Sequence, residues 1–224
     1  MSAVFVTGTG TDVGKTFVTA ALIRILRQRD RQVDALKPVA TGFDLASLET
    51  SDSGILLAAL GRPPMRETLD RITPWRYAAP LSPDMAARQA GQALDFSSLA
   101  AYTRRAIAEA PDLLLIEGIG GVMVPLDERH TVLDWIAALE VPVVLVGGSY
   151  LGALSHALTA LAALTSRNLT VLATVISETP GGVDLAATRA TIARFSRGIN
   201  VIALPRMRDA ASAAAALNPV ADLL

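Results

Sequence analysis

The 224-residue sequence contains no cysteine and only two histidines, His130 and His156. Without thiols there can be no disulfide, zinc–thiolate or iron–sulfur chemistry and no thiol nucleophile, and the absence fits a reducing compartment. Two histidines exclude a multi-histidine metal site. An excess of one charge is missing as well. Twenty Lys and Arg against 21 Asp and Glu give a formal net charge of -1, which offers no electrostatic reason to expect a nucleic-acid partner. The most apolar region, "VPVVLVGGSYLGALSHALTALAAL" (141–164), is broken by two glycines and a Ser-Tyr before any helical run begins. It reads as a buried strand, a turn and a helix, not as a membrane span. The opening Met1-Ser2-Ala3-Val4 has neither the basic start nor the cleavage site of a secretory signal. The expectation is a soluble cytoplasmic protein.

What the sequence does have is alternation. Short runs rich in valine, isoleucine and leucine recur at 3–8, 32–39, 112–118, 141–148, 169–177 and 199–205. Several are apolar throughout, as strands covered on both faces are. Amphipathic stretches at 15–30, 96–110, 152–168 and 184–198 lie between them. This order predicts an α/β fold, a mostly parallel sheet with helices on both faces, joined by right-handed crossovers. The length suits one domain, residues 1–224. The proline-punctuated stretch 40–95 reads as an irregular excursion from the sheet and a source of substrate-binding loops. The alanine-rich tail from Arg208 reads as a helix or a weakly ordered end.

The first strand runs into "VTGTGTDVGKTF" (6–17). A dinucleotide fingerprint fails here, because its third glycine falls on Val13 and Lys37-Pro38 stands where its acid should be. A phosphate loop ordinarily has four residues between glycine and Gly-Lys-Thr; Gly8 and Gly14 enclose five. The chemistry survives the extra residue. Close backbone approach at a glycine, successive N–H groups and the positive end of a helix still converge on an anion. Lys15 would then reach the terminal phosphates and the Thr16 hydroxyl would ligate Mg²⁺. An innocent turn is the competing reading, but a lysine at a helix start opposes the helix dipole unless an anion sits there.

Glu117 ends the apolar strand "DLLLIE" and precedes Gly118-Ile119-Gly120-Gly121. The carboxyl ends of parallel strands face the ligand crevice, so Glu117 is a candidate metal ligand. Lys37 follows the second strand in "ALKPVATG", where Pro38 stiffens the turn, and would open onto the same crevice. Two lysines on one anion would suit phosphoryl transfer. Asp52 in "ETSDSGILLAAL" is either a metal ligand or an ordinary helix N-cap, and spacing leaves both readings standing. His130 reads as loop surface and His156 as a helix residue near an interface.

The segments "FVTGTGTDVGKTF", "LKPVATG", Ser51-Asp52, "APLSP" (79–83), "IEGIGGVMVPL" (116–126), "PVVLVGGSYLGALSHA" (142–157) and Leu204-Pro205 resemble, in order and spacing, dethiobiotin synthetase, of the P-loop NTPase superfamily. That resemblance implies an ATP- and Mg²⁺-dependent ring closure in biotin synthesis. The diamine 7,8-diaminopelargonic acid takes up CO2 as a carbamate, ATP activates it as a carbamic-phosphoric anhydride, and the second amine closes a cyclic urea. By matching motif, Thr16, Asp52 and Glu117 would hold Mg²⁺. Asp12, Val13, Gly14, Lys15, Thr16 and Phe17 would wrap the phosphates, with Lys15 on the γ-phosphate. Glu117, Gly118, Ile119 and Gly120 would lie by the nucleotide, as would Ser177, Leu204, Pro205 and Arg206. Lys37 would bind carbamate and phosphate, and Thr41 the substrate nitrogens. The family is homodimeric, and the substrate carboxylate would meet the start of the partner's helix at about 150–155, including Leu151 and Gly152.

Some positions differ from the commoner family pattern: Asp12 replaces a glutamate, Ser177 an adenine-reading asparagine, Tyr150 and Ser155 a lysine and an asparagine, and Asp84 a histidine. A partitioning or assembly ATPase that uses hydrolysis as a timer is the alternative. Such proteins carry a second lysine, in K-G-G-x-G-K, where this chain has Thr7-Gly8-Thr9.

Overall fold

A computed structural model of the chain describes residues 2–207 and 213–224. The helices and strands run β1 (Ala3–Gly8), α1 (Lys15–Gln28), β2 (Val33–Leu36), β3 (Val39–Thr41), α2 (Asp52–Leu60), α3 (Arg66–Ile72), β4 (Trp75–Tyr77), α4 (Pro83–Gln89) and α5 (Phe96–Glu109). They continue with β5 (Leu113–Glu117), α6 (Val132–Leu139), β6 (Val143–Gly148), α7 (Ala153–Ser166), β7 (Val171–Ser177), α8 (Leu185–Phe195), β8 (Asn200–Leu204) and α9 (Ala214–Ala221). Among the described residues, six strands form one sheet in the order β2-β5-β1-β6-β7-β8, every neighbouring pair parallel. All residues of β1, β5 and β6 are buried. Successive strand side chains point to opposite faces, so both faces of this sheet are covered, as the unbroken apolar runs predict.

The core is continuous through the central strands. Phe5 of β1 meets Trp135 of α6 edge-to-face, ring centroids 4.8 Å apart. Burying a Phe-sized side chain stabilises by ~1.5–3 kcal/mol, and such a ring pair adds ~0.5–1.5. The sequence reading passes over α6. It starts at a reciprocal cap in which the Thr131 hydroxyl accepts from Asp134 N while Asp134 accepts from Thr131 N. Among the described residues no helix is long and apolar enough to cross a membrane.

Two expectations need correction. The run 32–39 is not one strand. Pro38 has no N–H to give a ladder, so β2 stops at Leu36 and Lys37 N donates to Ile72 O at 2.9 Å instead. The chain then leaves the large sheet, and β3 pairs in parallel with β4 in a separate two-stranded sheet. The stretch 40–95 is accordingly regular. It holds β3, a 3-10 turn at Leu45–Thr50, α2, α3, β4 and α4. The tail reading falls partly on residues 208–212, which lie outside the described residues. Beyond them α9 is helical, with Leu217 and Val220 buried, and packs on α1 and β8.

Because β1 is central, with β5 on one side and β6 on the other, the chain direction of strand addition reverses at its carboxyl end. That is where a doubly wound sheet opens a crevice.

Candidate active site

The loop between β1 and α1 sits over this crevice. A Cβ on Gly8 would lie 3.0 Å from both Gly10 O and Lys15 Cδ, so glycine is needed for the Lys15 side chain to fold back across the loop. Its ammonium donates to Gly10 O at 2.7 Å. Asp12 and Gly14 are left-handed, φ 56° and 95°, and α1 begins with no acid in its first turn and no side-chain cap among the described residues. The first-turn N–H groups therefore point, unneutralised, at the cavity, which is how helix N-termini hold phosphate. Lys15 is nearly buried. Burial first, then repulsion from Lys37, lowers its pKa to about 8, against the opposing pull of Glu117, Asp52 and Asp12.

Three chain segments bring the charged cluster together. Glu117 ends β5 fully buried, Lys37 follows β2 and is 2 % exposed, and Asp52 opens α2. Ser51 is the cap of that helix, accepting from Gly54 N, which rules out the cap reading of Asp52 and leaves its carboxylate free for the crevice. Thr16 Oγ1 lies 2.7 Å from Asp52 Oδ1 and 2.8 Å from Glu117 Oε1. A hydroxyl has one proton, so one of these oxygen–oxygen contacts has none. Lys37 Nζ donates to Glu117 Oε1 at 2.8 Å and Gly118 O at 2.9 Å, and pairs with Asp52 Oδ2 at 2.9 Å. Burial opposes charge on Lys37 most strongly, yet Glu117 and Asp52 outweigh it and hold the pKa above the ordinary lysine value. Burial likewise pushes Asp52 upward, but Lys37, Thr16 and Lys15 bring it below the usual carboxylate range.

These groups fit a hard divalent cation. Glu117 Oε2 is buried without a hydrogen-bond partner among the described residues, and Thr16 faces two anionic oxygens with one proton. Among the described residues no three or more His, Asp or Glu are grouped so that they could hold a metal ion by themselves. The donor set is thus two carboxylates and a hydroxyl, as suits an ion that keeps water and phosphate oxygens for its other positions.

A cavity of about 640 Å³ adjoins the cluster. Asp12, Gly14, Lys15, Thr16, Lys37, Thr41, Asp52, Ile119 and Gly120 line it, while the fully buried Glu117 is not part of its wall. Val13 is buried within the loop and Phe17 packs on the core, so their side chains do not form its wall. Gly118 contributes the carbonyl that Lys37 binds. Ser177, Leu204, Pro205 and Arg206 are not brought into this cavity. They lie at the ends of the neighbouring strands β7 and β8, where a Cβ on Gly14 would meet Ser177 Oγ at 3.0 Å. Leu151 and Gly152 are also outside it, at the β6–α7 turn, with Leu151 91 % exposed.

The sequence reading did not assign Thr11, Val124 or the wall Pro80-Leu81-Ser82-Pro83 to the site. The signal was present in the prolines of "APLSP", which fix that wall beside β3. Asp84 accepts the Ser82 hydroxyl at 2.5 Å. Neither histidine lines the cavity: His130 stacks on Phe96, and His156 Nδ1 lies 2.8 Å from the Tyr150 hydroxyl.

A glycine loop feeding a helix N-terminus at the switch point of a parallel sheet, with Lys15 and Thr16 in the first helical turn, Lys37 and Glu117 at strand ends and Asp52 at the start of α2, defines a P-loop nucleotide-binding protein. A family model described as an AAA domain matches residues 2–214. The chain is 48% identical over 211 residues to the ATP-dependent dethiobiotin synthetase BioD of Methylobacterium nodulans, covering 92% of this chain and 94% of that protein. It is 46% identical over 224 residues to the protein of the same name from Phenylobacterium zucineum, covering 99% and 96%. The chain belongs to the dethiobiotin synthetase family.

Among solved structures it is similar to the cell division ATPase MinD of Pyrococcus furiosus, with TM-score 0.60 and 15% identity over 100% of this chain and 98% of that one. The MinC:MinD cell division complex of Aquifex aeolicus gives TM-score 0.60 at 11% identity, over 98% and 93%. At such identities the likeness shows the fold alone. The switch-ATPase alternative therefore gains nothing from it, while the dethiobiotin synthetase sequences weigh against that alternative.

Proposed function

We propose that the protein is an ATP-dependent carbon–nitrogen cyclo-ligase that converts 7,8-diaminopelargonic acid and CO2 to dethiobiotin in biotin synthesis. The observation that carries this reading is the convergence of Lys37, Asp52, Glu117 and Thr16 on one point beside the phosphate loop. One amine of the diamine adds to CO2 and loses a proton, giving a carbamate. A carbamate oxygen attacks the γ-phosphorus and ADP leaves. The second amine then attacks the carbamoyl carbon and gives up a proton, the C–O bond to phosphate breaks, and inorganic phosphate departs as the five-membered urea closes.

In this reading the loop amides and Lys15 hold the triphosphate. Lys37, on the wall of the same cavity as Lys15 and Thr41, stabilises charge on the carbamate oxygen and the moving phosphoryl group. Thr41 hydrogen-bonds the substrate nitrogens, and the apolar wall at Pro80 and Leu81 excludes water that would hydrolyse the anhydride. Thr16, Asp52 and Glu117 would hold Mg²⁺, which neutralises phosphate charge when bound. Ser177, Leu204, Pro205 and Arg206 would flank the nucleoside, on the side of the loop toward β7.

Leu151 and Gly152 would act from a second copy of the chain. The exposed Leu151 and Leu154 give that turn an apolar surface for a homodimer, and the α7 N-terminus is a reasonable seat for the substrate carboxylate. The assay that tests the function follows phosphate release and cyclic urea together. Both should require diamine and bicarbonate and rise in equal amounts. Brisk ATP hydrolysis in the absence of diamine would show a switch ATPase instead.

A further inference from the structure

We propose that Lys37 is also the resident counter-ion of the metal site. Its ammonium holds the two carboxylates, keeps a bare divalent ion out, and is released only when nucleotide phosphates arrive. The proposal rests on the reading of Thr16, Asp52 and Glu117 as the magnesium ligands.

The ammonium donates to Glu117 Oε1 at 2.8 Å and to Gly118 O at 2.9 Å, and its charge is paired with Asp52 Oδ2 at 2.9 Å. The same Glu117 oxygen is 2.8 Å from Thr16 Oγ1. Lys37 and the proposed cation therefore compete for one carboxylate oxygen. Two positive ions this close repel strongly in a partly buried site, so bare metal has to displace Lys37 or be rejected.

In this position the Lys37 ammonium is directed at two carboxylates and a carbonyl, so it has to turn to meet a phosphate or carbamate. The main chain need not follow. Lys37 N is held by Ile72 O, and Pro38 O accepts from Trp75 N at 3.1 Å, which leaves the side chain as the moving part. Triphosphate oxygens offer the ammonium new acceptors and complete the coordination of the incoming ion, so metal entry and lysine release become one exchange. The geometry thus gives an order of binding: metal arrives with or after nucleotide, and the empty enzyme does not hold a divalent ion across its catalytic lysine.

The test is direct titration with Mn²⁺, followed by electron paramagnetic resonance and by thermal unfolding, without nucleotide. The intact protein should bind Mn²⁺ negligibly at low millimolar ion. Lys37→Gln should bind at least about ten-fold tighter and gain thermal stability from the ion. Equal or weaker binding by Lys37→Gln would overturn the proposal. Loss of Mn²⁺ binding in Glu117→Gln with nucleotide present tests the metal assignment separately, so the two failures are distinguishable.

If Lys37→Gln does not fold, the unmodified protein still decides. Its Lys37 ¹⁵N-ammonium resonance, assigned by its disappearance in Lys37→Arg, should be unmoved by Mg²⁺ alone and shift with Mg²⁺ plus a non-hydrolysable ATP analogue. A shift produced by Mg²⁺ alone to the same end point would contradict the exchange.

Discussion

Buried polar atoms in the core divide into those the site uses and those it does not. Under the proposed metal assignment, Glu117 Oε2 belongs to the first kind. Thr174 Oγ1, in β7 between Leu145 and Val201, is fully buried with no hydrogen-bond partner among the described residues and faces no ligand. An unsatisfied buried hydroxyl costs about 1–3 kcal/mol, and replacement by an isosteric apolar group can recover part of it. Thr174→Val is expected to raise the urea midpoint by up to about 1 kcal/mol in stability. A loss of that size would mean that the hydroxyl has a buried water as partner. Among the site residues, those at strand ends were readable from the sequence. Lys37 and Glu117 follow apolar runs whose carboxyl ends share one edge, so position alone points them at the crevice. Asp52 was not readable from spacing. Its role depends on Ser51 taking the cap, and two adjacent residues that can both cap a helix give one signal.

Elements were legible where periodicity was long. The strands β1, β5, β6, β7 and β8 and the four amphipathic helices α1, α5, α7 and α8 lie where the alternation puts them, the helices slightly shorter. The failures have a common cause. β3 and β4 have three residues each, too few to show a period, and they depend on one another across the intervening 3-10 turn, α2 and α3. Helix α6 is eight residues of almost wholly apolar sequence, which hides the polar face that marks a surface helix. Its start is nevertheless chemically specified. Asp134 accepts from Thr131 N and pairs with Arg167. Burial pushes this carboxyl up, but the Thr131 hydrogen bonds and Arg167 overcome that and hold it below the usual range. A depressed folded pKa means stability that is present above the unfolded pKa and lost as pH falls through the folded one. Asp134→Ala should therefore cost about 0.5–1.5 kcal/mol at neutral pH, the net worth of the hydrogen bonds it gives up. The gap from the unmodified protein should shrink as pH falls below about 4. Denaturant midpoints across that range check it, and a gap independent of pH would assign the effect to packing.

At the scale of the molecule, the parallel sheet gathers residues far apart in sequence onto one edge, while two expected substrate contacts stay outside the cavity of the same chain. Leu151→Asp places a charge on the exposed β6–α7 turn; if a second copy covers that turn, sedimentation should show dissociation, with KM for the diamine raised more than KM for ATP. Unchanged sedimentation and kinetics would remove that turn from the interface. The central claim is that Lys37 stabilises the migrating phosphoryl group and is not needed to hold the nucleotide. Its most direct measurement is the paired determination of ATP affinity and turnover for Lys37→Gln. ATP affinity should stay within a few-fold of the unmodified protein while turnover falls by about 10²–10³. Near-normal turnover, or a loss confined to ATP affinity, would contradict the role assigned to Lys37.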